Sequence, residues 1–304
     1  MSAAGAPAGR TPETATCIPG RIGVVGLGLI GGSFARAWHE AGFEVFAWNR
    51  TRDILDLARI DVVDGELTDD VLPTCELVVL TTYPEHSVQW LRDRAHLVSP
   101  GALVIDACGV KRTVCDQCWE IAAGRPWTFV GAHPMAGTQH SGYARSRADM
   151  FQGAPMVLCP SPDLKDLDRL ELLSRLVGLL RPVGFGRFSV TTPEEHDRLI
   201  AHTSQLAHVV SNAYVKSPAA QEHRGYSAGS WRDLTRVADL NAPMWTELFL
   251  ENRDNLVAEL ELVIGHLSEY RDALQDADAE RLERLLQEGT DLKRRADLPH
   301  PKEA

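Results

Sequence analysis

Arg21-Ile22-Gly23-Val24-Val25-Gly26-Leu27-Gly28-Leu29-Ile30-Gly31-Gly32-Ser33 is the stretch on which the fold turns. A short apolar run ending in glycines reads as a buried parallel strand. A helical pattern follows from about Ile30 to Ala41 and stops at Gly42. The Gly26-x-Gly28-x-x-Gly31 string means little alone, but between a strand and a helix it becomes a dinucleotide-binding turn. Gly26 permits the tight bend, Gly28 lets the backbone approach a pyrophosphate, and Gly31 lets helix and strand pack closely. The free N–H groups where the helix opens, around Leu29 and Ile30, would hold the phosphates.

Outward from this loop, strand patterns recur at Glu44–Trp48, Leu77–Thr81, Ala102–Asp106 and Thr128–Gly131, with later ones at Met156–Cys159 and Phe185–Val190. Helical stretches lie between them, one running from Asp53 to Arg59. Strands alternating with helices predict an α/β fold, a Rossmann-type doubly wound parallel sheet over residues 21–191. From Pro193 onward only helical periodicity remains, which predicts an all-α substrate and dimerisation domain over residues 192–296. Phe249, Leu256, Leu260, Val263 and Leu267 mark one face of a helix there, as core or as subunit interface. Residues 1–20 and 297–304 read as tails.

The net charge of −11 argues against a nucleic-acid partner or an anionic membrane surface, so an anionic substrate would need a locally basic pocket. Cys115 and Cys118 form a CxxC pair with no second pair behind it, and His196, His202 and His208 fall on different helix faces. No metal site is expected. With no signal peptide and no membrane-spanning run, the chain should be cytoplasmic.

Where an NAD-selective site would place a carboxylate, at the end of the second strand, the sequence reads Asn49-Arg50-Thr51-Arg52. An amide and two guanidinium groups suit a 2′-phosphate, so NADP is favoured and NAD stays possible.

The chemistry is concentrated at Gly131-Ala132-His133-Pro134-Met135-Ala136-Gly137-Thr138-Gln139-His140-Ser141-Gly142. Here a histidine leaves a buried strand and enters a Pro/Gly turn, at the carboxyl ends of the strands where doubly wound folds bind ligands, and it can accept a proton near neutral pH. This string resembles the signature of the prephenate/arogenate dehydrogenase family of tyrosine biosynthesis. So do the glycine loop, Met150-Phe151-Gln152-Gly153-Ala154, Glu195-His196-Asp197, Ser204-Gln205-Leu206-Ala207-His208, and Asp233-Leu234-Thr235-Arg236-Val237-Ala238 with Met244-Trp245. The resemblance runs from about Arg21 to Leu267.

It implies oxidative decarboxylation of a dianionic cyclohexadienol, with prephenate ahead of arogenate and 4-amino-4-deoxyprephenate a remoter choice. By the same resemblance His133 is the catalytic base, and Arg236, His208, Ser204, Gln139 and Trp245 bind substrate. A homodimer through the helical domain is implied too. Independently of the family, a guanidinium such as Arg236 is the group that can fork onto a carboxylate. Asp197, Ser204, His208 and Ser211 form a polar stripe beside the apolar Leu199, Leu206, Val210 and Tyr214. Gly109 stands where the family carries a serine that supports the histidine, which leaves His133 to be oriented by backbone or water. The rival readings are a 2-hydroxyacid dehydrogenase or imine reductase on the same plan, and a non-catalytic dinucleotide sensor.

Overall fold

The computed structural model describes residues 17–138 and 140–298. Eight strands form one sheet: β1 (Ile18–Val25), β2 (Glu44–Trp48), β3 (Gly65–Glu66), β4 (Cys75–Leu80), β5 (Leu103–Asp106), β6 (Thr128–Pro134), β7 (Pro155–Pro160) and β8 (Arg187–Val190). Their order is β3-β2-β1-β4-β5-β6-β7-β8. The first six strands are parallel and in Rossmann order. Helices α1 (Leu29–Glu40), α2 (Arg52–Asp61), α3 (Pro84–Arg94), α4 (Arg112–Ala122) and α5 (Asp166–Leu180) cover the sheet. One apolar cluster gathers residues of α1, α2 and α5, and another those of α3 and α4. Central strand residues such as Val24, Val79 and Ile105 are fully buried, which is why these strands read as unbroken apolar runs.

Two boundaries differ from the sequence reading. β1 begins at Ile18, inside the expected tail, because Ile18 pairs with Cys75 at the foot of β4. Residues 1–16 of that tail, and residues 299–304, lie outside the described residues. β6 continues past Gly131 to Pro134, because β7 runs antiparallel to it and pairs Val157 with His133. Among its described residues the β6–β7 connection contains short 3₁₀ turns and no crossover helix, so the chain returns antiparallel. The sheet is therefore mostly parallel, with β7 and β8 reversed.

Helix α6 (Pro193–Ile200) starts where Pro193 takes the first helical position and the Thr192 hydroxyl accepts the Glu195 N–H. A π turn (Ala201–Leu206) joins it to α7 (Ala207–Tyr214), followed by α8 (Pro218–Gln221), α9 (Gly229–Thr235) and α10 (Ala242–Glu251). By packing, the described residues fall into two units that divide between Asn252 and Arg253. Helices α6–α10 pack with the sheet. The second unit holds α11 (Arg253–Gln275) and α12 (Ala279–Ala296), which form a hairpin in which the Tyr270 hydroxyl donates to the Leu285 carbonyl at 3.0 Å.

The predicted single stripe from Phe249 to Leu267 is thus interrupted. Buried Asn252 ends α10, its amide donating to the Asp197 carbonyl and to Gln205 Oε1, both at 2.8 Å. Leu262, Ile264, Leu267 and Leu274 of α11 are exposed. No helix among the described residues is long and apolar enough to cross a membrane.

Candidate active site

The glycine loop brings strand and helix together through bare backbone. Gly26 sits at φ +99°, and a Cβ there would meet Thr82 Cγ2 at 2.7 Å. A Cβ on Gly31 would stand 1.9 Å from the Gly26 carbonyl oxygen and 2.3 Å from Thr81 Oγ1, so helix and strand meet through bare backbone. The Thr81 hydroxyl locks the bend by donating to that Gly26 carbonyl at 2.6 Å. Gly28, by contrast, faces open space. The first bond within the α1 backbone runs from the Gly32 N–H to the Gly28 carbonyl, so the N–H groups of Leu29, Ile30 and Gly31 precede it and have no intrahelical acceptor. The Leu29 and Ile30 side chains pack on the apolar core and leave this backbone open. Such a cradle fits a pyrophosphate.

Beyond the loop the three polar residues expected at the adenosine end separate. Asn49 does not point its amide outward: Oδ1 accepts the Leu27 N–H at 2.9 Å and Nδ2 donates to the Thr51 carbonyl at 3.0 Å. Asn49 therefore braces the glycine loop. Arg52 pairs with Glu66 at 2.8 Å and Asp56 at 3.3 Å. Arg50 is exposed and makes no ion pair among the described residues.

His133 stands near the C-terminal end of β6, partly exposed, its Nδ1 2.9 Å from Nε2 of His196 on α6. His196 Nδ1 in turn lies 2.7 Å from Asp197 Oδ1. Asp197 also accepts the backbone N–H groups of Lys111 at 2.7 Å and Arg112 at 2.9 Å, and its Oδ2 takes the Arg112 guanidinium at 3.4 Å. The expectation that backbone or water orients His133 is corrected: a second imidazole does so. A Cβ on Gly109 would meet only Leu248, at 3.5 Å, so no other side chain fills the place of the family's serine.

One residue before His133, the Ala132 N–H donates to fully buried Asp106, which also holds the ammonium of fully buried Lys111. Burial, followed by His196 and Lys111, holds the His133 pKa well below its ordinary value. Burial also lowers His196, against the pull of Asp197. Burial opposes charge on Asp197, yet the His196 ring and the N–H of Arg112 keep its carboxyl below the usual range.

On the helical side, His208 Nδ1 donates to the Val237 carbonyl at 3.0 Å, and its ring lies tilted at 49° against Trp245 with centroids 4.0 Å apart. Arg236, at the end of α9, is exposed, unpaired among the described residues, and near enough to help burial lower the His208 pKa. Trp245 lies one turn before Leu248 on α10, which joins this group to Gly109. Ser204 sits partly exposed in the π turn, one turn before His208. Gln139 lies outside the described residues.

The predicted stripe is only partly kept: Leu206 is buried, and Ser204 and His208 are half-buried. Asp197 and Ser211 are buried, Ser211 donating to the Leu234 carbonyl at 2.7 Å, whereas Leu199 and Tyr214 are 45% and 47% exposed. The π turn adds a residue to the 3.6-residue period and rotates Ser211 and Tyr214, which follow it; Asp197 precedes it and is held inward by the N–H groups of Lys111 and Arg112.

His196, Asp197, Asp106 and Lys111 are the site residues that sequence reasoning left without roles. An adjacent His-Asp pair at a helix start was the available signal. The six cysteines are free thiols, and among the described residues no cluster of His, Cys, Asp and Glu could hold a metal.

Comparison with known proteins covers both halves. Residues 34–183 match the family described as prephenate dehydrogenase, nucleotide-binding domain, and residues 192–288 match prephenate dehydrogenase, dimerization domain. A cyclohexadienyl dehydrogenase of Zymomonas mobilis is 28% identical over 86% of this chain and 90% of its own. The crystal structure of the Aquifex aeolicus prephenate dehydrogenase, in complex with hydroxyphenyl propionate and NAD+, superposes with TM-score 0.78 at 26% identity, covering 91% of this chain and 98% of that one. Synechocystis arogenate dehydrogenase superposes with TM-score 0.75 at 27% identity, covering 91% and 99%.

Proposed function

Because the chain belongs to the prephenate dehydrogenase family, we propose that it is a nicotinamide-dependent enzyme that oxidatively decarboxylates prephenate to 4-hydroxyphenylpyruvate. The observation that carries this reading is a neutral, desolvated His133 near the C-terminal end of β6, on a protein whose glycine loop offers a pyrophosphate cradle. A bound nicotinamide supplies the hydride acceptor for the carbinol carbon of the substrate ring; the ring carboxylate leaves as carbon dioxide and the ring becomes aromatic. His133 accepts the hydroxyl proton while the carbon–oxygen bond gains double-bond character, then returns it to the phenol oxygen, so no net proton is released. Its lowered pKa keeps it an acceptor, and its position in a paired strand keeps it still.

Arg236 holds a substrate carboxylate. In a chain of net charge −11, an unpaired exposed arginine beside His208 and Trp245 is the group suited to a dianion. Arg236→Ala should raise the Michaelis constant about 10–100-fold, the loss of a charge-assisted bond, and Arg236→Lys should raise it less because the fork is gone and the charge stays. Unchanged saturation in both variants would remove Arg236 from the pocket. Carbon dioxide release, measured with prephenate and with arogenate, tests the reaction itself; release with neither would leave a dinucleotide-binding protein of another kind. Arogenate is the second reading, favoured by Asp239, exposed and unpaired among the described residues three positions after Arg236, which could meet an ammonium.

NADP is the proposed cofactor over NAD, now through Arg50 alone. Arg50→Ala should cut the NADP-over-NAD ratio of kcat/KM roughly tenfold. Arg52→Ala should leave it near wild type, since Glu66 and Asp56 already hold that guanidinium. Equal use of both cofactors by the wild type would end this assignment. The dimerization-domain match and the exposed apolar side chains of α11 support a homodimer, and free thiols suit a cytoplasmic setting.

A further inference from the structure

We propose that His196 and Asp197 are positioning residues that fix the tautomer of His133, placing the proton on Nδ1 and leaving Nε2 as the bare acceptor for the substrate hydroxyl. The proposal rests on the reading of His133 as the hydroxyl's partner.

The chain of inference starts at groups that cannot change their roles. The backbone N–H of Lys111 donates to Asp197 Oδ1, and the N–H and guanidinium of Arg112 donate to Oδ2. Three donors converging on one carboxyl keep it ionised, and an ionised carboxylate has no proton to give. At 2.7 Å from Oδ1, His196 Nδ1 must therefore carry the hydrogen. A neutral His196 then has a bare Nε2. His133 Nδ1, 2.9 Å away, must donate to it, which empties His133 Nε2.

His196 stays neutral because it is buried and because the cation of Lys111 faces both rings. The other charged or titratable groups around the pair are Asp106 on β5, Arg112 beyond Asp197, and Glu251 on α10, whose carboxyl burial pushes up to about 7. When His133 takes the hydroxyl proton at Nε2, its Nδ1–H already points at His196, with the Asp197 charge behind it. The pair thus aims the ring before the reaction and stabilises the imidazolium during it, the logic of a carboxylate–histidine couple extended by one imidazole.

The test uses the full-length enzyme labelled with ¹⁵N-histidine, with His133→Asn identifying the His133 signals by difference. In the wild type without substrate at pH 8, Nδ1 should be protonated and Nε2 bare. Asp197→Asn, whose amide can turn an N–H toward His196, should reverse both rings and cut kcat by about 100-fold or more, with the substrate KM changed less than about threefold. Because Asp197 also holds the N-terminus of α4, a second pair of variants keeps the test sound if that one misfolds.

His196→Gln can still accept from His133 and donate to Asp197, so it should keep the tautomer and kcat within about tenfold of wild type. His196→Ala should lose about 100-fold in kcat. A wild-type His133 with its proton on Nε2 would overturn the proposal, as would His196→Ala and His196→Gln behaving alike. The tautomer is read without turnover, so failure of prephenate as substrate would be seen separately.

Discussion

His133→Asn should lower kcat about 10²–10⁴-fold while leaving dinucleotide binding at wild-type strength. Asparagine can occupy the ladder position opposite Val157 and can bond to His196, so β6 stays in place, but it cannot take the hydroxyl proton. Near-normal turnover would remove His133 from the chemistry. The wild-type pH profile carries the same information. Burial, His196 and Lys111 lower the folded-state pKa, so the base form persists as pH falls past the ordinary value of about 6.5, and the acid limb of kcat/KM should lie below it.

Stability should follow the same shift. Above about pH 6.5 the ring is neutral in both states. As pH falls towards the folded pKa, the unfolded chain binds a proton that the folded one refuses, so stability declines. Urea unfolding at pH 7.5 and 5.5 should show a smaller decline in His133→Asn. An acid limb at or above pH 6.5 would contradict the desolvated, neutral base.

The second large effect separates two glycines of one loop. Gly31→Ala puts a Cβ against the Gly26 carbonyl and Thr81, both fixed by the β1–β4 pairing, so the strand–helix junction must open. Overpacking of this kind costs about 1–3 kcal/mol or more, and the melting temperature should fall by several degrees. Cofactor affinity should fall with it, because displaced N–H groups no longer converge on the pyrophosphate; losing two charge-assisted bonds is worth on the order of 100-fold or more. Gly28→Ala meets no protein atom within 4 Å and its φ of −87° is open to any residue, so the fold should melt as wild type does. Its methyl group nevertheless occupies the approach of the pyrophosphate, so cofactor KM should rise. Normal cofactor affinity in Gly28→Ala would show that the dinucleotide lies elsewhere.

The loop and the sheet that carries it were legible because their signals are local. Val24 and Val25 make a buried strand and the glycines a bend within a few residues of chain, and β2 falls on Glu44–Trp48 as its pattern predicts. The helical run after Pro193 was legible for the same reason, with Pro193 at the first helical position and Thr192 as cap. The periodicity misled where a local rule was broken from outside. The backbone N–H groups of Lys111 and Arg112 drew Asp197 inward, a π turn at Ala201–Leu206 shifted the register of Ser211 after it, and buried Asn252 cut an apolar stripe in two.

By itself the sequence determined the α/β class, the strand–glycine loop–helix at its start, and the presence of a histidine where a buried strand runs out, because adjacent residues dictate backbone geometry. Only the tertiary structure decided how those residues are used. His133 gained its partner from 63 residues away, through an antiparallel β7 that extended β6. Arg52 was claimed by Glu66 across 14 residues, and Asn49 by Leu27 across 22, which left Arg50 as the exposed arginine of the turn, without an ion pair among the described residues. A side chain's hydrogen-bonding capacity is finite, and which partner takes it depends on distances that only the folded chain sets.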